Sequence, residues 1–99
     1  MQFLITAYDG KDEDALSRRL SVREKHLETI TKLKDQGKVL YGLAILDDDG
    51  KMIGSTMVAQ FDSEEQMRHE WLDAEVYVTA NVWQEIKIQP CNVAGIFLP

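Results

Sequence analysis

The stretch Leu20-Ser21-Val22-Arg23-Glu24-Lys25-His26-Leu27 begins the main predicted helix and places a histidine on its apolar side. At about 100° per residue, Ile30 lies roughly 40° from His26 on one side and Val22 roughly 40° on the other. His26 is therefore expected to face the interior of the fold rather than water. Arg23 lies at the rim of the same face, where its guanidinium could reach an anion beside the imidazole.

His26 has two interpretations at this point. It can be a core residue whose ring is hydrogen bonded to a backbone carbonyl, or it can belong to a functional pocket. Free imidazole titrates at about pH 6.5, so it can exchange protons at neutral pH. A carboxylate on one ring nitrogen would fix the tautomer and leave the second nitrogen for a substrate. Asp73 and Glu75, at the end of the second predicted helix, are the candidate carboxylates.

The composition is that of one ordinary globular domain spanning residues 1–99. Eleven basic and 17 acidic residues give a net charge of −6, which argues against a nucleic acid or an anionic membrane surface as the main partner. No apolar run has the length of a membrane span, and the start of the chain lacks a signal-peptide pattern. Cys91 is the single cysteine, so no internal disulfide is possible and a reducing, cytoplasmic setting is expected.

Alternating apolar residues predict four strands, over residues 1–8, 38–46, 54–61 and 83–89, the last ended by Pro90. A short acidic helical piece is expected over residues 12–20. The main helix then restarts at a Ser21/Glu24 capping box and ends near residue 36, before Gly37. A second helix runs from a Ser63/Gln66 capping box to about residue 72, followed by a break and a helical turn to about residue 81. Asp49-Gly50 predicts a hairpin turn, and residues 93–98 a final strand or arm.

The resulting β-α-β-β-α-β order is the ferredoxin-like arrangement, an α+β fold with both helices on one face of an antiparallel sheet. The second strand is apolar on both faces, although the helices can cover only one of them. A bare apolar sheet face is not tolerable in water, so we expect a second copy to cover it, sheet against sheet. The C-terminal arm would cross over to the partner. The strand pattern thus predicts a homodimer.

Few other residues could carry chemistry. The chain has two histidines, no cysteine cluster and no His-x-x-x-His spacing, so neither a metal nor a cofactor is expected. It also has no glycine-rich phosphate loop and no Gly-x-Ser-x-Gly elbow. His69 is predicted to lie at the surface, and Trp71 and Trp83 in the core or a dimer contact. What remains is His26 with a carboxylate, Ser55 and an arginine.

Several motifs occur together, in one order along the chain: Leu20-Ser21-Val22-Arg23-x-x-His26-Leu27, Gly37 before a strand, Gly54-Ser55-Thr56, and Tyr77-Val78 before residues 86–90. With them the chain resembles the YciI-like (YCII-related) family over nearly its whole length. The resemblance implies a dimeric α+β barrel of ferredoxin-like subunits with a His–Asp pair in a pocket as the active site. One relative eliminates hydrogen chloride from a chlorinated hydroxyquinol, and other barrels of this group isomerise lactones or oxidise small aromatic compounds.

The chain departs from the family at the carboxylate. The family's Asp-Pro-Tyr motif falls on Glu75-Val76-Tyr77. Glutamate keeps the charge but adds a methylene, and loss of the proline frees the backbone that would hold the carboxylate still. Asp73 is the alternative, approaching from a different direction.

The resemblance and the residues together predict a small-molecule enzyme that uses proton transfer, as a lyase or isomerase on a small cyclic or aromatic compound. The expected catalytic residues are His26 as general acid or base, with Glu75 or Asp73 orienting it. By position in the family motifs, Arg23, Ser55 and Tyr77 are expected to bind the substrate. The alternatives are a non-catalytic dimeric module that binds a small ligand, and a structural relic whose pocket has lost its carboxylate geometry.

Overall fold

The computed structural model of the protein describes residues 1–98. Its elements are β1 (Gln2–Asp9), α1 (Ala15–Asp35), β2 (Val39–Leu46), β3 (Met52–Gln60), α2 (Glu64–Glu70), a 3₁₀ turn (Leu72–Ala74), α3 (Val76–Thr79), β4 (Trp83–Cys91) and a second 3₁₀ turn (Gly95–Phe97). The strands form one antiparallel sheet in the order β2-β3-β1-β4. The structure confirms the ferredoxin-like α+β subunit. Pro99, the last residue of the predicted domain, lies outside the described residues.

The core lies between the sheet and the helices. Phe3, Ile5 and Ala7 alternate along β1 and are buried on this inner face, because successive strand residues point to opposite sides. Trp71 and Trp83 are also buried, which confirms their predicted place in the core, and His69 is exposed as predicted. The largest fully buried side chains are Trp71, Tyr77, Phe3, Ile5, Met67, Glu75 and Val82.

The predicted restart of the first helix at Ser21 is wrong, because α1 is one continuous helix of 21 residues. The Ser21 hydroxyl donates to the carbonyl oxygen of Arg18 at 2.7 Å, so it is satisfied inside the helix instead of capping a new one. Continuity brings Arg19, seven residues before His26, to about 20° from the histidine on the helix surface. Arg19 is buried as a result.

Gly37 ends α1 in the left-handed region, with φ of +74°. The backbone N–H of Lys38 donates to the carbonyl of Leu33 at 2.8 Å and that of Gly37 to Lys34 at 2.9 Å, the two bonds of a Schellman motif. The predicted helix end is therefore confirmed.

We expect Gly37→Ala to lower the free energy of unfolding by about 1 kcal/mol, because a Cβ is disfavoured at positive φ. Urea unfolding followed by tryptophan fluorescence measures the change. Gly95→Ala is the matched control, since φ there is ordinary and nothing lies within 4 Å of the added carbon. Equal effects of the two substitutions would contradict the role given to Gly37.

Several strand boundaries differ from the prediction by one or two residues. β3 begins at Met52 rather than at residue 54, and β4 continues through Pro90 to Cys91. Pro90 is accommodated because β4 is an edge strand that pairs only with β1, so a second hydrogen-bonding partner is not needed there. The Ser63 cap is confirmed, with the Gln66 N–H donating to the serine oxygen at 3.0 Å.

Within residues 1–98, the outer face of the sheet bears apolar side chains and is not covered by an α-helix. Tyr41 and Leu43 on β2 are 45% and 59% exposed. The C-terminal arm reaches this face, because the Tyr41 hydroxyl donates to the carbonyl of Phe97 and the Val93 N–H donates to Gln2 Oε1 at 2.6 Å. The arm thus runs from β4 to β2, at the opposite edge of its own sheet, as an irregular segment with one 3₁₀ turn. Within residues 1–98, no helix is both long and apolar enough to cross a membrane.

Candidate active site

A histidine and a glutamate from different elements meet below the inner face of the sheet. His26 comes from α1, and Glu75 immediately precedes α3, where its carbonyl accepts from the N–H groups of Val78 and Thr79. Nδ1 of His26 is hydrogen bonded to Oε1 of Glu75, and the two residues are 7% and 0% exposed. Of the two candidate carboxylates, the structure brings Glu75 to the imidazole and leaves Asp73 exposed in the preceding 3₁₀ turn.

Aromatic rings hold the imidazole of His26. The Tyr77 ring stacks on it with centroids 3.8 Å apart, and Trp83 meets it edge-on at 5.7 Å. Burial raises the pKa of the Tyr77 hydroxyl, against the opposing effect of the Arg19 and Arg23 cations, so the phenol stays protonated at neutral pH. The carboxylate and the stack together set the orientation of the imidazole.

A buried ion pair lies beside this histidine. Nη1 of Arg19 contacts both carboxylate oxygens of Asp9, at 3.0 and 3.1 Å, and Nη2 donates to Ser55 Oγ at 2.8 Å. The Arg19 guanidinium carbon also lies 4.9 Å from the centre of the Tyr77 ring. Burial raises the pKa of the Asp9 carboxyl, and the Arg19 cation opposes that rise. Asp9, Arg19, Ser55 and Tyr77 thus form one contiguous cluster.

Arg19 and Asp9 belong to the site but were not among the predicted site residues. Each nevertheless lies at an inward position in the periodicity of its helix or strand. Arg19 precedes His26 by seven residues, which is two helical turns, and the predicted restart at Ser21 hid this relation. Asp9 is the next inward position of β1 after Ala7, but the prediction ended the strand one residue earlier. An aspartate at the end of a strand pattern is also typical of a turn. Its burial therefore cannot be predicted until its charged partner is known.

An open cavity of about 320 Å³ lies between α1 and β2. Gly42 and Ala44 of β2 lie opposite the inward-facing Met57 and Ser55 of β3, and their small size leaves this space. His26, Ser55 and Tyr77 line the cavity, and the exposed Arg23 lies at its mouth.

The lining of the cavity is basic, although the whole chain has a net charge of −6. Among residues 1–98 the lining contains no carboxylate, and its basic side chains are Arg19, Arg23, His26 and Lys34. Arg19 is paired with Asp9 and His26 with Glu75, and Arg23 and Lys34 form no salt bridge within residues 1–98. These two cations favour an anionic ligand. In the described part of the chain, no three His, Cys, Asp or Glu side chains are placed to share a metal ion.

The family model of the YCII-related domain matches residues 1–92. The chain belongs to the YCII-related family. The YciI proteins of Escherichia coli O6:H1 and Shigella flexneri are each 36% identical to this YCII-related protein over 96 residues, which cover 91% of this chain and 95% of theirs. An uncharacterized protein of Haemophilus influenzae is 30% identical to it, with the same coverage.

Two solved structures share the fold of this YCII-related protein. One is the 5-chloro-2-hydroxyhydroquinone dehydrochlorinase of Burkholderia phenoliruptrix AC1100, in complex with 2,5-dihydroxybenzoquinone. It has a TM-score of 0.79 at 22% identity, covering 97% of this chain and 98% of the dehydrochlorinase. A protein of Mycobacterium tuberculosis has a TM-score of 0.53 at 15% identity, covering 95% and 99% of the two chains. At these identities the likeness shows the fold alone.

Proposed function

We propose that this YCII-related protein is a small-molecule enzyme in which His26 transfers a proton and Glu75 orients its ring. The supporting observation is the buried contact between Nδ1 and the Glu75 carboxylate. A carboxylate that accepts from Nδ1–H places the lone pair of the neutral imidazole on Nε2. Nε2 forms no hydrogen bond with residues 1–98, and His26 lines the cavity, so this nitrogen is available to a ligand.

These site residues fit a lyase or isomerase reaction better than nucleophilic catalysis. Ser55 Oγ accepts from Arg19 and Trp83 and is not hydrogen bonded to His26, so the serine lacks the adjacent base that would activate it. Removing the proton of a hydroxyl on a bound ring needs only a base and a site that accepts the developing charge. His26 supplies the base, and the basic side chains that line the cavity supply the site for the charge.

The proposed substrate is a small cyclic or aromatic compound with a negative or hydroxylated group. The cavity of about 320 Å³ lies at the small end of the range of ligand pockets, which suits a single ring. Arg23 at the mouth would hold an anionic group, and Ser55 and Tyr77 would contact the ring substituents. Dehydrochlorination, the reaction of the structurally similar enzyme, releases one proton and one chloride and needs no oxidant.

The test follows chloride release from 5-chloro-2-hydroxyhydroquinone under anaerobic conditions. A second assay follows the exchange of the ring hydrogens of 2,5-dihydroxybenzoquinone in D₂O by NMR. Multiple turnovers, or exchange faster than in buffer, would support proton transfer at His26. Binding of both compounds without turnover or exchange would favour the alternative function below.

The alternative is a non-catalytic dimeric module that holds a small ligand in the same cavity. The specific observation behind it is that Oε2 of Glu75 is buried with no partner in residues 1–98. A carboxylate held through one oxygen orients a ring less firmly than one held through both. Here His26→Gln would weaken the binding of 2,5-dihydroxybenzoquinone, and there would be no turnover to lose.

We further propose that the protein forms a homodimer through the outer face of its sheet. Tyr41 and Leu43 are exposed there, and Ile96 and Phe97 of the arm that reaches this face are 87% and 65% exposed. Burying this surface against a second copy would contribute about 25 cal/mol per Å² of apolar area.

Sedimentation velocity at micromolar concentration is expected to give a species of twice 11.3 kDa. We expect Leu43→Lys to shift it toward 11.3 kDa, because the substitution places a charge in an apolar interface. Leu20→Lys is the matched control, since Leu20 is 51% exposed on α1, away from the sheet. A wild-type protein that sediments as an 11.3 kDa monomer would contradict the dimer.

A further inference from the structure

The neighbours of Ser55 determine which hydrogen bond its hydroxyl can make. Ser55 Oγ lies 2.8 Å from Nη2 of Arg19 and 3.3 Å from Nε1 of Trp83. A guanidinium and an indole N–H can only donate, so both contacts use lone pairs of the serine oxygen. A hydroxyl oxygen has two lone pairs, and both are therefore engaged. The Ser55 hydroxyl can act only as a donor to a third atom.

The protein does not supply that third atom within residues 1–98, where the Ser55 hydroxyl donates to no group. Ser55 is 4% exposed and lines the cavity. An unpaired donor this buried is costly, and a ligand in the cavity that offers an acceptor atom here would satisfy it. The surrounding basic side chains favour an acceptor with negative charge.

We propose that Ser55 donates to a ligand oxygen that carries or develops negative charge, a phenolate or enolate oxygen, and that Arg19 and Trp83 are positioning residues for its hydroxyl. This proposal rests on the proposed function in one respect, because both place the ligand in the same cavity. If His26 takes the proton of a ring hydroxyl, the O–H bond breaks, the proton moves to Nε2 and the electron pair stays on the oxygen. Ser55 then stabilises the negative charge on the oxygens of the resulting phenolate.

The experiment uses 4-nitrophenol as the probe, because its phenolate absorbs visible light and its phenol does not. We expect the wild-type protein to bind the phenolate in preference to the phenol, so the bound probe ionises at a lower pH than the free probe. Ser55→Ala should reduce this preference by about tenfold or more, the value of a hydrogen bond to a charged group. Ser55→Thr keeps the hydroxyl and should retain the preference.

A second pair of variants tests the positioning role. Trp83→Phe removes one of the two donors to Ser55 and should reduce the phenolate preference by a smaller factor than Ser55→Ala. Trp71→Phe is the matched control, because the Trp71 indole N–H is buried without a partner in residues 1–98 and Trp71 does not line the cavity. Equal effects of the two tryptophan substitutions would overturn the positioning role of Trp83.

The proposal and the proposed function fail separately. Ser55→Ala is expected to cause the same loss of preference in a His26→Gln background, because the hydroxyl donates whether or not the imidazole takes a proton. Absence of turnover therefore leaves the donor role intact. The donor role is overturned if 4-nitrophenol does not bind the wild-type protein, or if it ionises at the same pH in the wild-type and Ser55→Ala complexes.

Discussion

If the proposed dehydrochlorination is the reaction of this protein, His26→Gln is expected to lower kcat for chloride release by about a hundredfold to ten-thousandfold, the usual contribution of a positioned acid or base. The glutamine amide can still donate to the Glu75 carboxylate, so the side chain stays in place. It cannot take or return a proton at neutral pH. The loss is therefore expected in kcat, with KM changed only a few-fold.

Steady-state kinetics with 5-chloro-2-hydroxyhydroquinone measure this split, and His69→Gln is the matched control. His69 is exposed on α2 and does not line the cavity, so its substitution should leave both constants unchanged. A His26→Gln protein that retains wild-type kcat would contradict proton transfer by this ring. A rise in KM alone would reassign His26 to ligand binding.

The departure from the family motif can be tested directly in the same assay. The double variant Glu75→Asp/Val76→Pro introduces the aspartate and proline that the resemblance described under Sequence analysis implies at these positions. If the present pocket is functional, the wild-type protein already shows turnover and the double variant changes it modestly. Turnover that is present only in the double variant would identify the natural chain as a relic of the family's active site.

Arg19→Met is expected to lower the free energy of unfolding at pH 7 by about 3–5 kcal/mol, because it leaves the buried Asp9 carboxylate without its counter-charge. Methionine fills much of the volume, so the loss is mainly electrostatic. Urea unfolding measures it. Arg18→Met is the matched control, since Arg18 pairs with the exposed Asp12 and its removal should change stability little.

The effect of pH on Arg19→Met has a definite sign. Burial raises the pKa of Asp9 above its ordinary value of 3.8 and Arg19 opposes this, so removing Arg19 raises the pKa further. A carboxyl whose pKa is raised by folding makes the folded state more stable at low pH. This stability is fully present below the pKa of the unfolded chain, and it is lost as the pH rises through the pKa of the folded chain. The variant is therefore expected to be less destabilised, relative to wild type, as the pH falls from 7 towards 4.

The double variant Asp9→Asn/Arg19→Met carries no charge at this position. We expect it to recover part of the stability lost in Arg19→Met and to lose the added pH dependence, because removing both members of a buried pair is better tolerated than removing one. A loss that is the same at every pH, with no recovery in the double variant, would contradict a buried ion pair.

Local patterns were enough to predict the order of strands and helices, the Ser63 cap, the end of α1 at Gly37 and the burial of His26. These features depend on periodicity and on residues close in the chain, so they can be derived from the sequence before any long-range contact is known. The continuity of α1 was missed because the Ser21/Glu24 pattern is locally valid for a cap. Its serine is instead satisfied inside the helix.

The choice of partners depends on contacts between residues far apart in the chain. Asp73 and Glu75 are equivalent by composition, and the turn into α3 alone directs Glu75 to a histidine 49 residues away. The pairing of Arg19 with Asp9, and of both with Ser55, requires α1 to lie across β1 and β3. A sequence states which groups can ionise or donate, because that follows from side-chain chemistry. Which of them meet, and with which atoms left for a ligand, depends on how the helices pack against the sheet.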